Sequence, residues 1–381
     1  MVVAGVARGK RGPTEQMVTL VPPVPPCRGP GLRSSGVRTR PALATRGLLL
    51  LAAAALLVVL DVARAEPAAA DGAGPTNFES VIDSVEPDGA PVRVEVVGGD
   101  SFLQVTALDG AEVEIEGYDR EPYLRIAADG TVTRNERSAA TYINQSRDGT
   151  GVELPDDVGS DGEPRWVHVG SDATVAWHDH RIHWMVDTEP AVGPDGVVQD
   201  WVVPLTVDGD EVVVSGRLLR HSDDLPWAAL LGAGFGVTAL LLARRHALRV
   251  PLLVGAGAVA LGLSLASYAA NPPDAGASLV PVVLPAAALA LALLSYVAPP
   301  ALRQLALPLA AVAALVGWGI ARIGVLWMPI VPSEAPGWIE RAGTGAVLGV
   351  AIGVAAAVLL RPLPSASSRT SPLRSGGQIS G

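Results

Sequence analysis

The stretch DWVVPLTVDGDEVVVSGRLLRHSDDLPWAALLGAGFGVTALLLARR, residues 200–245, joins two architectures end to end. Residues 201–207 and 211–219 read as strands, and the Asp208-Gly209 pair between them is the sequence of a tight hairpin turn. Beyond Pro226 charge disappears over 227–243 and returns as Arg244-Arg245. An uncharged apolar run of that kind, closed by a basic pair, reads as a membrane span with its basic end in the cytoplasm.

Upstream of the hairpin, from about residue 76, the pattern has period two. Val92, Val94 and Val96 alternate with Arg93 and Glu95, and Val113 and Ile115 with Glu112, Glu114 and Glu116. Gly98-Gly99, Asp109-Gly110 and Asp129-Gly130 punctuate these runs as turns. Short strands at this spacing predict an all-β, sandwich-like domain over 66–226, with a long Gly/Asp/Pro-rich loop at 148–164. Downstream, hydropathy marks spans at 227–243, 250–270, 278–298, 305–326 and 342–360, an α-helical transmembrane bundle of about five helices. A polar tail, 361–381, is expected to be disordered and cytoplasmic.

Charge follows the same division. Residues 66–226 carry 33 Asp and Glu against 10 Arg, and residues 227–381 carry 3 acids against 9 bases. An acidic middle region repels phosphate backbones, which argues against nucleic acid as a partner. Basic residues recur in alternate connections of the helical region, which places those connections in the cytoplasm and the β-domain outside. Residues 1–65 point the same way. A basic segment precedes an apolar run at 47–60, and Ala63-Arg64-Ala65 follows as a small-x-small cleavage site. The alternative is an uncleaved anchor, for which that run is short. Cys27, the sole cysteine, lies ahead of this site, so the mature chain is expected to lack thiol chemistry, disulfides and iron–sulfur clusters.

Chemistry concentrates in WHDHRIHWM, residues 177–185, which holds three of the six histidines. On a continuous strand His178 and His180 share one face, a chelating geometry, while His183 and Met185 lie on the other and come closer if the chain bends. Imidazole with thioether suits copper, and imidazole with carboxylate suits zinc. The structural alternative has Trp177 and Trp184 in the core and Asp179 paired with Arg181. A second group, residues 117–124 with Asn135, Arg137, Ser138, Tyr142 and Asn144, has the amide and aromatic character of a small-ligand or sugar pocket. No nucleophile elbow, phosphate loop or metalloprotease pair occurs. The expected spans contain no acid, and their one charge is Arg322, close to Trp318 and Trp327.

The segments EPYLRIAADGTVTRN (121–135), ATYIN (140–144) and WHDHRIHWM, set ahead of a block of spans, resemble an uncharacterised family of actinobacterial membrane proteins with an exported ectodomain. The resemblance covers roughly 76–360 and implies this architecture, but no activity and no catalytic residue. The leading functional expectation is therefore a multi-pass envelope protein of the cell membrane. Its ectodomain binds an extracytoplasmic ligand, a copper or zinc ion held by His178, His180, His183 and Met185, and envelope proteins are the other partners it could meet. The rival is a membrane enzyme or transporter with its site between the ectodomain and the helix ends near Arg322.

Overall fold

The computed structural model describes residues 72–145, 152–159, 162–186, 188–273, 278–300 and 302–360. The expected signal segment and C-terminal tail lie outside these residues.

Ten strands build the first part of the chain: β1 (Phe78–Glu86), β2 (Val92–Val97), β3 (Phe102–Ala107), β4 (Val113–Glu116), β5 (Pro122–Ile126), β6 (Val132–Asn135), β7 (Trp166–Gly170), β8 (Thr174–Trp177), β9 (Val197–Val207) and β10 (Asp210–Arg220). A short helix, α1 (Ala140–Ile143), follows β6. The strands form a seven-stranded sheet of order β1-β10-β9-β4-β5-β6-β7 and a three-stranded sheet of order β2-β3-β8. Both inner faces feed one core. Leu103, Val105 and Val175 come from the small sheet, and Ile115, Ile126, Val203, Leu205 and Val214 from the large one. This is the sandwich that the period-two pattern predicts.

The hairpin is the clearest case. Val207 pairs with Asp210, and the two turn residues Asp208 and Gly209 both have positive φ, 51° and 89°, as a type I′ turn requires. Side-chain alternation then buries Trp201, Val203, Leu205 and Val207 on β9 and Val212, Val214 and Leu218 on β10. Gly216 is the exception in that row. Its cross-strand partner is Trp201, whose indole covers the space a side chain would need.

Five helices follow: α2 (Trp227–Ala243), α3 (Arg249–Ala269), α4 (Val280–Val297), α5 (Leu307–Ala321) and α6 (Gly337–Leu359). Counting the turns that lead into α3 and α5, four of the five are long and apolar enough to cross a membrane, which marks a membrane protein. The other, α2, has 17 residues, about 26 Å of helix at 1.5 Å per residue. It packs along α6 through facing glycines. A methyl group on Gly345, Gly349 or Gly353 collides with backbone of Ala228, Gly232 or Gly236 respectively, so these two helices touch main chain to main chain.

Two span boundaries differ from expectation. The helix expected over 305–326 ends at Ala321, and residues Ile323–Leu326 form a 3-10 turn. Arg322 is thus a helix terminus and does not lie inside a span. The last helix starts at Gly337, after Pro336, and takes Glu340 and Arg341 into its first turns. Hydropathy responds to apolar side chains and passes over where the backbone stops coiling.

The β-domain and the helices are joined at one end. Thr76 and Ile330 exchange backbone hydrogen bonds of 3.0 and 3.1 Å, and the Asp224 N–H donates to the Trp327 carbonyl at 2.7 Å. Arg341 bonds the carbonyls of Met328 and Pro329 and pairs with Asp224 at 2.8 Å. The connections 244–248 and 298–306 lie at the opposite end of the bundle.

Gly349→Leu should separate α2 from α6, because its side chain would occupy the position of the Gly232 carbonyl. Thermal unfolding of the detergent-solubilised chain should show a lowered midpoint, whereas Gly234→Leu, at a glycine with open space beside it, should leave the midpoint close to wild type.

Candidate functional site

The segment 174–186 departs from a strand after Trp177. β8 pairs with β3 as far as Leu103↔Trp177, and the chain then turns. Asp179 causes the turn. Its carboxylate accepts from the Arg181 N–H at 3.0 Å and caps a 3-10 turn over His180–Ile182. The Arg181 guanidinium folds back onto the same carboxylate, with Nε at 2.8 Å and Nη2 at 2.6 Å, and the Trp177 indole N–H donates from 2.9 Å. Asp179 has no solvent exposure. Burial by itself pushes its pKa up, but the hydrogen bonds and charge of Arg181 outweigh burial and hold it below the usual carboxylate value. The continuous strand that would have set His178 and His180 on one face is therefore absent.

Tyr118 closes this clasp from the other sheet. Its ring lies under Arg181, 5.3 Å from the guanidinium carbon. Its hydroxyl accepts the His180 N–H at 3.0 Å and donates to the Asn144 side-chain oxygen. Burial, reinforced by the Asp179 charge, pushes the phenol far above its ordinary pKa, so it stays protonated and able to donate. The rest of the expected sugar-type pocket bonds to itself. Asn135 donates to the Pro122 carbonyl at 2.7 Å and accepts N–H bonds from Arg137 and Arg165. Ser138 donates to the buried Glu121 at 2.6 Å, and Tyr142 to the Glu136 carbonyl at 3.0 Å. These groups are the framework that holds the histidine segment, and their amides and hydroxyls are turned inward.

The turn folds His183 back toward His178. Their ring centres are 5.9 Å apart, and those of His180 and His183 are 6.3 Å apart. Two imidazoles on one ion, each bonded at ~2.0–2.1 Å, place their ring centres about 5–6.5 Å apart. His178 stacks on Phe102 at 4.2 Å, and its Nδ1 lies 2.7 Å from the Ser101 carbonyl oxygen. A carbonyl only accepts, so Nδ1 carries a proton. His183 Nδ1 lies 3.7 Å from the Asp100 carboxylate, and both side chains are fully buried. Gln199 of β9 fixes the segment by donating to the Arg181 and His183 carbonyls. Met185 joins His180 and His183 in lining a cleft of about 480 Å³ that also reaches Asp200 and Trp201.

His183 thus lies near both His178 and His180, and His180, His183 and Met185 line the cleft. Among the described residues no three His, Cys, Asp or Glu side chains already surround a single point as a formed metal centre does. Asp100 adds a carboxylate that sequence reasoning missed. Its position, at the β2–β3 connection and far from the histidines in the chain, left no local signal. His168 bonds Ser171 on exposed β7, and His221 pairs with Glu79 at 2.7 Å, so neither joins the group.

Arg322 has a different setting from the one expected. It bonds Glu340 at 2.6 Å and Ser267 at 3.0 Å, and its guanidinium lies 5.5 Å from the Trp318 ring centre. Glu340, wholly buried, also accepts from Ser333. A cleft of about 800 Å³ does lie where the β-domain meets the helices, lined by Asn77, Trp184, Glu189, Arg220, Asp223 and Trp327 among others, but Arg322 is not part of its wall.

Asp179→Asn leaves Arg181 without its counter-charge and should destabilise the β-domain by about 3–5 kcal/mol. Thermal unfolding followed by tryptophan fluorescence should show it, with Asp179→Asn/Arg181→Met recovering part of the loss. A wild-type midpoint in Asp179→Asn would remove the clasp from the account. Comparison of the chain with protein-family models, with curated proteins and with solved structures found no match.

Proposed function

We propose that this chain is a membrane-anchored envelope protein whose β-domain, held outside the cytoplasm, binds a copper or zinc ion beside the 178–185 segment. The observation that supports this reading is the closeness of His183 to both His178 and His180, with ring centres 5.9 and 6.3 Å apart, and the Asp100 carboxylate and Met185 thioether nearby. Its donor types fit a borderline or soft cation better than calcium or magnesium, which take oxygen ligands. Binding on this reading requires His180 and His183 to turn about their side-chain bonds, while the Asp179–Arg181 clasp holds the backbone. The helices then serve as anchor. Arg322, on which the enzyme or transporter reading depends, is paired with Glu340, which favours binding over that reading.

The orientation rests on charge. Arg244, Arg245, Arg249 and Arg303 all lie at the end of the bundle away from the β-domain, and basic connections stay in the cytoplasm. In a Cys27→Ser background, Val202→Cys on exposed β9 should react with a membrane-impermeant maleimide in intact cells, and Arg244→Cys only after permeabilisation. The reverse pattern would invert the topology.

Metal binding is tested by titrating the solubilised full chain with Cu(I), Cu(II) and Zn(II). His180→Ala/His183→Ala should weaken binding of the preferred ion at least tenfold. Equal affinity in both proteins would dismiss the site.

A further inference from the structure

The cleft of about 800 Å³ between the β-domain and the helices has a chemistry of its own, which the metal reading does not use. Four segments far apart in the chain meet there: the lead into β1, the residues after the histidine segment, the end of β10 and the connection between α5 and α6. The frame is fixed before any ligand arrives. Phe78 and Arg220 pair across β1 and β10. The Trp184 indole N–H donates to the Thr188 carbonyl at 2.7 Å. The Trp327 main chain donates to the Gly324 carbonyl at 3.1 Å and accepts from the Asp224 N–H at 2.7 Å. Junctions between domains, with clefts of about 300–1,000 Å³, are a common setting for small-ligand sites.

The groups present in the wall narrow the ligand. Trp184 and Trp327, both half-buried, bring large apolar rings. With them stand two polar pairs: Asn77 donates to Asp223 at 2.7 Å, and Arg220 meets Glu189 at 2.6 Å. These bonds use only part of each group's capacity. A carboxylate keeps further lone pairs, and an amide or guanidinium keeps further N–H groups. The two carboxylates oppose a phosphate, and Arg220 opposes an ammonium. A wholly apolar ligand would strip water from all four polar side chains and return no hydrogen bond. A neutral ligand rich in hydroxyls answers both halves of the wall. Each hydroxyl donates and accepts, and the C–H faces of a sugar ring lie against the negative face of an indole.

We propose that this cleft binds a saccharide, stacked on Trp184 or Trp327 and hydrogen-bonded by Asn77, Asp223, Glu189 and Arg220. Its place at the ends of the helices admits a free saccharide or the sugar headgroup of a glycolipid, which share this chemistry. The proposal stands apart from metal binding at the histidine segment.

The test uses the full chain in a polyoxyethylene detergent, which carries no sugar, with EDTA present to keep metal ions out. Maltotriose, cellotriose, mannotriose, tri-N-acetylchitotriose and choline are titrated separately, and tryptophan fluorescence and heat are read. Diglucosyl diacylglycerol is compared with diacylglycerol by native mass spectrometry. At least one of the sugars should bind saturably. Trp327→Leu, which keeps the main-chain bonds, and Asp223→Ala, at an exposed side chain, should each weaken that binding about fivefold. Arg303→Gln, at the opposite end of the bundle, should leave it unchanged. Binding of a trisaccharide supports the site with a ligand from solution, and binding of the glycolipid alone, above diacylglycerol, supports it with a ligand from the membrane. Binding of none of the sugars, binding of choline in their place, or equal affinity in wild type, Trp327→Leu and Asp223→Ala would overturn the proposal.

Discussion

A carboxylate without solvent contact, that of Asp179, governs the β-domain's distinctive region. A buried charge is tolerated only when its partners are close and its lone pairs are used. Asp179 meets both conditions with Arg181, the Trp177 N–H and the Arg181 backbone N–H. Meeting them forces the chain to leave the sheet after Trp177 and coil once. That coil sets His178, His180 and His183 around a common neighbourhood and exposes Met185 to the cleft. The framework residues Tyr118, Asn135, Ser138 and Asn144 brace the coil from the large sheet, so the two most polar regions of the domain form one connected structure.

The same principle recurs at the junction with the helices. Glu340 is buried, and Arg322, Ser267 and Ser333 surround it. One residue later, Arg341 reaches away from the bundle to Asp224, at the end of the β-domain. Adjacent charges on one helix thus face opposite ways. Glu340 holds α5 and α3 to α6, and Arg341 holds the β-domain to the connection after α5. Between α2 and α6 the contact is of another kind. There α2 and α6 approach through glycines, where close backbone packing replaces the hydrophobic drive that lipid removes.

The β-domain and the far end of the bundle therefore present contrasting chemistry. One offers imidazole, thioether and carboxylate in an acidic domain, suited to a cation. The other carries the guanidinium groups of Arg244, Arg245, Arg249 and Arg303. The helices run between the two.

Much of the architecture was readable from residues alone. The β9–β10 hairpin follows from alternation and from Asp208-Gly209, because both are local properties of the backbone. The helical region follows from apolar runs of spanning length, and its basic end from the arginines. Local chemistry also placed His178, His180, His183 and Met185 together, since they share nine residues of chain. The tertiary structure decided which strands pair, that β8 stops at Trp177, that Asp100 lies beside His183, and that Glu340 is buried against Arg322. Each of these depends on groups distant in sequence meeting in space. Periodicity and hydropathy report what each segment prefers, but the balance between burying a charge and supplying its partner is struck only after the chain has folded.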